Sequence, residues 1–186
     1  MLHSPLVPFI RESDFAIRKP WSMPERRLLD YLLIYVQEGT CKFTVDRVEY
    51  AFKPGEFCLI QPGSVNKLQG LTNTVTPFAH FDLFYNASRL ESFPTRAGQI
   101  DLSDYAHLMQ PRLDELCGCH IPVKLEMHHP DKFRTSFLQA VELWQYRDAH
   151  MQARAQAHLT SSPPNYWNNT FPHLPRPDSQ VLPWTG

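Results

Sequence analysis

Between residues 27 and 85 the chain is a succession of short apolar runs cut by turn signals, the pattern of an all-β sandwich or barrel. The first run, 28–36, is apolar almost throughout apart from Asp30, which predicts a strand buried on both faces and ending at Glu38-Gly39. Residues 40–45 alternate instead, with Cys41, Phe43 and Val45 on one face and Thr40, Lys42 and Thr44 on the other. One of those faces meets solvent. Alternation resumes in Val48, Tyr50 and Phe52, which makes Asp46-Arg47 a hairpin turn. Tight hairpins demand positive φ, which Asp tolerates and Arg does poorly, so a longer or bulged turn is expected there.

Pro54-Gly55 and Pro62-Gly63 bracket the apolar stretch 57–60. Pro fixes φ at the first turn position and Gly supplies the positive φ after it, so each dipeptide encodes a type II turn and the strand between them has its length set at both ends. A last strand, 76–85, puts Phe78, His80, Asp82 and Phe84 on one face and Ala79, Phe81, Leu83 and Tyr85 on the other.

Beyond Asn86 the period changes. Leu102, Tyr105, Leu108, Met109, Leu113 and Leu116 fit an amphipathic helix that Pro111 bends or interrupts, and residues 121–125 read as a short extended segment. Asp131 is placed to cap one long helix over 131–159, whose apolar stripe runs Phe133, Phe137, Val141, Trp144, Met151 and Leu159. After Ser161 six prolines follow without periodicity, a composition that runs extended over the domain or is disordered.

With 42% hydrophobic and 20% charged residues, the 186-residue chain has an ordinary globular composition, enough for one domain with an appended helical element. Eighteen Lys and Arg against 19 Asp and Glu leave a net charge of −1, so there is no global basic excess for neutralising phosphates. The most basic short stretch, Pro24-Glu25-Arg26-Arg27, is too brief for a nucleic-acid arm, and no direct nucleic-acid binding is expected. No run approaches the roughly 18 apolar residues that cross a bilayer, and the N-terminus lacks a charged leader followed by a long hydrophobic segment. A cytoplasmic protein with no membrane partner is expected. The cysteines at 41, 58, 117 and 119 form no secreted disulfide framework and are expected to be reduced.

The segment "DYLLIYVQEGTCKFTVDRVEYAFKPGEFCLIQPGSVNKLQG", followed by "AHFDLFY", resembles the N-terminal effector-binding domain of bacterial AraC-type transcription regulators, most specifically across residues 30–85. The resemblance implies a mainly β, cupin-like jelly-roll barrel followed by a helical dimerisation element. It also implies a small effector, often a sugar, bound in the barrel mouth, and a homodimer formed through the later helices. The division expected is an N-terminal arm over 1–20, a barrel over 21–100, a dimerisation element over 101–160 and a proline-rich tail over 161–186. In such regulators a further domain with two helix-turn-helix units reads the operator. The residues after Leu159 hold no segment of that kind, so the chain is expected to lack it.

His80 and Asp82 align with positions that touch the sugar in some family members and are expected to contact the effector. The alternative is a polar pair satisfied by neighbouring strands or water. Arg26, Arg27 and Trp21 precede the first barrel strand, where the family can place an Arg near the ligand and an aromatic face against a sugar ring. Their alternative is a solvated basic edge and a surface tryptophan. Phe133, Phe137, Val141, Trp144 and Met151 are expected to divide between barrel packing and the dimer contact. Cupin enzymes carry a metal-binding His three residues after the Gly of the second motif, where this chain has Asn66, and their earlier His-x-His pair is missing from "DYLLIYVQEG". No metal, no cofactor and no enzymatic activity are expected. Cys117-Gly118-Cys119-His120 with His128-His129 lacks the spacing of a structural zinc site. Two other readings stay open: a metal-dependent cupin isomerase or dioxygenase, and a stand-alone dimerisation module that pairs with full-length regulators.

Overall fold

The computed structural model describes residues 6–126 and 130–161. Among the described residues, eleven strands precede the two main helices: β1 (Leu6–Asp14), β2 (Ile17–Arg18), β3 (Trp21–Arg27), β4 (Tyr31–Tyr35), β5 (Cys41–Val45), β6 (Val48–Phe52), β7 (Phe57–Ile60), β8 (Val65–Gly70), β9 (Thr74–Val75), β10 (Phe78–Phe84) and β11 (Lys124–Leu125). They form a five-stranded sheet ordered β1-β10-β4-β7-β11, a four-stranded sheet ordered β3-β8-β5-β6, and a small β2-β9 ladder, with every pairing antiparallel.

The two larger sheets enclose one apolar cluster. Leu32, Ile34, Cys58 and Ile60 face inward from the first, and Cys41, Phe43, Val45, Phe52 and Leu68 face them from the second. The alternation read from 40–45 is therefore the inward and outward faces of β5, whose burial alternates residue by residue. Burial lifts the Cys41 thiol to about 11 and raises that of Cys58 as well, which keeps both in the inert thiol form.

The outer face of the five-stranded sheet is covered too. Tyr31, Leu33, Tyr35, Phe57, Leu59, Phe81 and Leu83 pack against the helices, so β4 is buried at all five positions, as its unbroken apolar run requires. The helical cover differs from the single helix expected: α2 (Pro130–Trp144, after the short α1 at Leu113–Cys117) and α3 (Ala149–Ser161) are separate helices. The chain turns between them at Arg147, which takes φ +50°, a left-handed conformation that an α-helix cannot continue through. Phe133, Phe137 and Val141 are buried on this chain's own sheet, Phe57 meeting the rings of Phe133 and Phe137 edge-on at 5.0 and 5.7 Å. Trp144 and Met151 stay half-buried.

Two other segments differ from expectation. Residues 6–14, within the N-terminal arm expected over 1–20, form the edge strand β1, nine residues long and paired with β10. Asp46-Arg47 is a tight two-residue turn after all: Val45 pairs with Val48, and both turn residues take positive φ, 49° and 70°. The Asp46 carboxylate accepts the Val65 N–H at 2.9 Å, which holds the turn against β8. Around Pro111 the expected helix is indeed interrupted, as a 3-10 helix at Ser103–Leu108 and then α1, and 121–125 contains β11, which pairs with β7.

Candidate functional site

Between the two larger sheets a cavity of about 110 Å³ opens at one end, lined by Glu12, Arg18, Trp21, Met23, Arg26, Leu32, Ile34, Leu68, Thr76, Phe78 and His80. Two irregularities in the strands decide which polar side chains reach it. In β3 the ladder to β8 shifts between Met23 and Arg26, around Pro24 and Glu25. A bulge there resets the alternation so that Arg26 faces inward and Arg27 outward. The Arg27 guanidinium accordingly holds the Ile100 and Gly63 carbonyls at 3.0 Å and lines a separate cleft with Glu25, Asp46, Arg47 and Lys67. In β1 the ladder to β10 shifts between Ile10 and Glu12, which leaves Arg11 as the re-aimed residue.

Arg26, 7% exposed, lies at the deep end of the cavity. Its Nη1 donates to the Thr95 carbonyl at 2.6 Å, and its Nη2 lies 3.2 Å from His80 Nε2. A guanidinium only donates, so Nε2 accepts and the His80 proton sits on Nδ1, which donates to Asp30 Oδ1 at 3.0 Å. Both ring nitrogens of His80 are thus engaged by the protein, and what His80 offers the cavity is the position it gives Arg26. Asp82 lies outside the lining. Arg11 grips its carboxylate through two hydrogen bonds, from Nε at 3.0 Å and from Nη2, and extends to the carbonyls of Arg89 and Ser92. Burial lifts the Asp82 carboxyl to about 6 against the opposing pull of Arg11. Asp30 closes the chain of charges, its second oxygen 4.0 Å from Arg11 Nε.

At the mouth, Trp21 donates its indole N–H to Thr74 Oγ1 at 3.0 Å and carries the Arg18 guanidinium 4.8 Å above its ring. It lies over Gly70, where a Cβ would meet the indole nitrogen at 2.3 Å. Of the five residues expected at the effector, the fold brings Trp21, Arg26 and His80 to one cavity and places Arg27 and Asp82 elsewhere. Arg11, Arg18 and Asp30 were not among them. Asp30 did carry a signal, as the lone charge in an apolar run, whereas Arg11 and Arg18 carry none in a segment whose pairing is set by distant strands.

Asn66, where the resemblance puts the metal-binding His of cupin enzymes, is fully buried and donates its amide to the Arg26 carbonyl at 3.2 Å. Among the described residues no three His, Cys, Asp or Glu side chains come together as a metal site; His128 and His129 lie outside them. No described helix is long and apolar enough to cross a membrane.

Solved structures similar to this chain include a variant of oxalate decarboxylase from Bacillus subtilis, 15% identical with a TM-score of 0.33 over 37% of this chain and 20% of that one. The cupin domain of Schizosaccharomyces pombe Cnp3 is 8% identical, with a TM-score of 0.35 over 47% and 77% of the two chains. A conserved protein of unknown function from Streptococcus pyogenes, SPY1581, is 12% identical, with a TM-score of 0.35 over 45% and 79%. The chain thus spans about a fifth of the decarboxylase. No curated protein matches it by sequence. The sequence model of the AraC-like ligand binding domain matches residues 16–119, more than half of the chain and a span that holds every cavity residue except Glu12. The chain belongs to the AraC-like ligand-binding domain family.

Proposed function

We propose that this chain is the effector-sensing and dimerisation part of an AraC-type transcription regulator, with the effector held in the cavity between the sheets by Arg26 and Trp21. The observation that carries the reading is the cavity itself: an apolar wall of Trp21, Met23, Leu32, Ile34, Leu68 and Phe78 with a single buried guanidinium, the composition of a small-ligand site. A compact sugar, polyol or sugar acid suits its size. The edge strand β1 contributes Glu12 to the wall and Arg11 to the Asp30–His80–Arg26 chain, so effector bound at Arg26 acts on the N-terminal strand and on the 89–92 loop. The half-buried Trp144 and Met151 on α2 and α3 are the part of the helical stripe left for a second subunit. We read the chain as a binding module and not an enzyme, since an amide that bonds the Arg26 carbonyl stands where a metal ligand would be.

Thermal-shift screening against neutral sugars, polyols and sugar acids tests the reading. At least one compound at saturating concentration is expected to raise Tm by several degrees, an effect lost in Trp21→Ala. A folded sample that none of them stabilises refutes it. Equilibrium sedimentation tests the dimer, and a chain that stays monomeric at tens of micromolar contradicts it. Stoichiometric iron, manganese or nickel in purified protein argues for the enzyme instead.

A further inference from the structure

The cavity wall holds a guanidinium with no carboxylate in direct contact, Asp30 and Glu12 acting on it only at longer range. Arg26 makes no ion pair within 4 Å among the described residues, and its Nε–H has no hydrogen-bond partner although it is buried. Asp30, the carboxylate behind it, has one oxygen on His80 Nδ1, and the other stands nearest to Arg11. Glu12 is exposed at the rim, where Arg18 over Trp21 provides a second cation. Buried guanidinium groups ordinarily rest on carboxylates, because an unpaired charge in a low-dielectric site is costly to keep. Arg26 lines the cavity, so the carboxylate it lacks in direct contact is supplied by what enters there.

We propose that the effector is a compact carboxylate, its anionic group bound by Arg26 and its body against Trp21, Phe78 and Leu32. The inference rests on the effector reading above and narrows it from polar small molecules to acids. A neutral sugar hydroxyl supplies the guanidinium with one acceptor and still leaves it without a carboxylate in contact. A carboxylate supplies the acceptor and the charge together, and its planar pair of oxygens matches the guanidinium fork. The cavity volume of about 110 Å³ restricts the body to a few carbons or one small ring, with the remainder projecting through the mouth.

Calorimetric titration of the full chain with matched pairs tests this: glycerate against glycerol, galacturonate against galactose, and benzoate against benzyl alcohol, all as sodium salts or at equal sodium chloride. In any pair that binds, the acid is expected to bind about tenfold or more tightly than its neutral partner, the gain expected of a charge-assisted contact. Arg26→Gln is expected to erase the preference, bringing the acid and its neutral partner to within about twofold of each other whatever affinity both lose. The comparison within each pair uses the wild-type chain, so it stands whether or not that variant folds. Neutral members binding as tightly as the acids overturn the inference and leave the effector reading intact. If no member of any pair binds, both fall.

Discussion

Arg11→Met removes the cation from a carboxylate that has no water to turn to. The Asp82 side chain is 0% exposed and that of Arg11 5%, and two hydrogen bonds join them. Because the Asp82 carboxyl titrates at about 6, the pair is ionised at pH 7. Breaking a buried pair from one side costs about 3–5 kcal/mol. The Arg89 and Ser92 carbonyls lose their donor as well, adding about 1 kcal/mol. The carboxyl has one escape, which is to bind a proton, so the cost must shrink as pH falls. With the folded carboxyl at about 6, ionisation between pH 5 and pH 7 changes the wild type's stability relative to a variant that stays protonated by at most about 1.4 kcal/mol, so the same substitution is expected to cost less at pH 5 by about that much.

The sign for the wild type follows from the same shift. The folded carboxyl titrates above the unfolded value of about 3.9, so the folded state holds the proton more tightly. Its contribution of about 3 kcal/mol is complete below pH of about 4 and is lost as pH rises through about 6. Urea unfolding followed by tryptophan fluorescence at pH 5 and pH 7 measures all of this for Arg11→Met, Asp82→Leu and the double variant. The double variant is expected within about 2 kcal/mol of wild type at pH 7, since no buried charge is stranded. A single-variant cost below about 1 kcal/mol at pH 7 refutes the reasoning. So does a cost that is equal at the two pH values, or a double variant as unstable as the sum of the singles.

Phe137→Ala, at a fully buried ring between α2 and Phe57, is expected to lose about 3–5 kcal/mol in urea unfolding; a loss under about 1 kcal/mol contradicts the packing of the helices on the sheet. Gly70→Ala forces the Trp21 indole off its seat and off Thr74, costing about 1–3 kcal/mol and shifting tryptophan emission to the red, whereas an unchanged spectrum shows that the indole lies elsewhere. Arg47→Gly removes a β-carbon from a left-handed turn position and is expected to raise stability by about 0.5–1 kcal/mol; a lower Tm contradicts the tight-turn geometry.

Local chemistry was enough to make the barrel legible. The periods of two in 40–52, the paired Pro-Gly turns around β7 and the unbroken run of β4 are each properties of neighbouring residues, and each appears in the fold where the pattern predicts it. Where a prediction depended on residues far apart, it went astray. The stripe over 131–159 is helical on both sides of residue 147, but the turn there sets α3 back against α2 and β1, a contact that period alone does not encode. Residue preference disfavours a tight turn at 46–47, and its tertiary support from Val65 outweighs that preference.

The site divides in the same way. Trp21, Arg26 and His80 stand out in the sequence because aromatic and charged side chains beside an apolar strand are conspicuous. Only the folded chain decides that Arg26 faces in while Arg27 faces out, since one bulge at Pro24-Glu25 reverses the alternation. Only the fold assigns Asp82 to Arg11, 71 positions away, and so closes it to a ligand. Chain-local spacing determined the strands between 28 and 85 and most of their faces. The pairing of charges across strands was decided by tertiary structure, because burial makes every unpaired charge costly and the partners that relieve that cost come from anywhere in the chain.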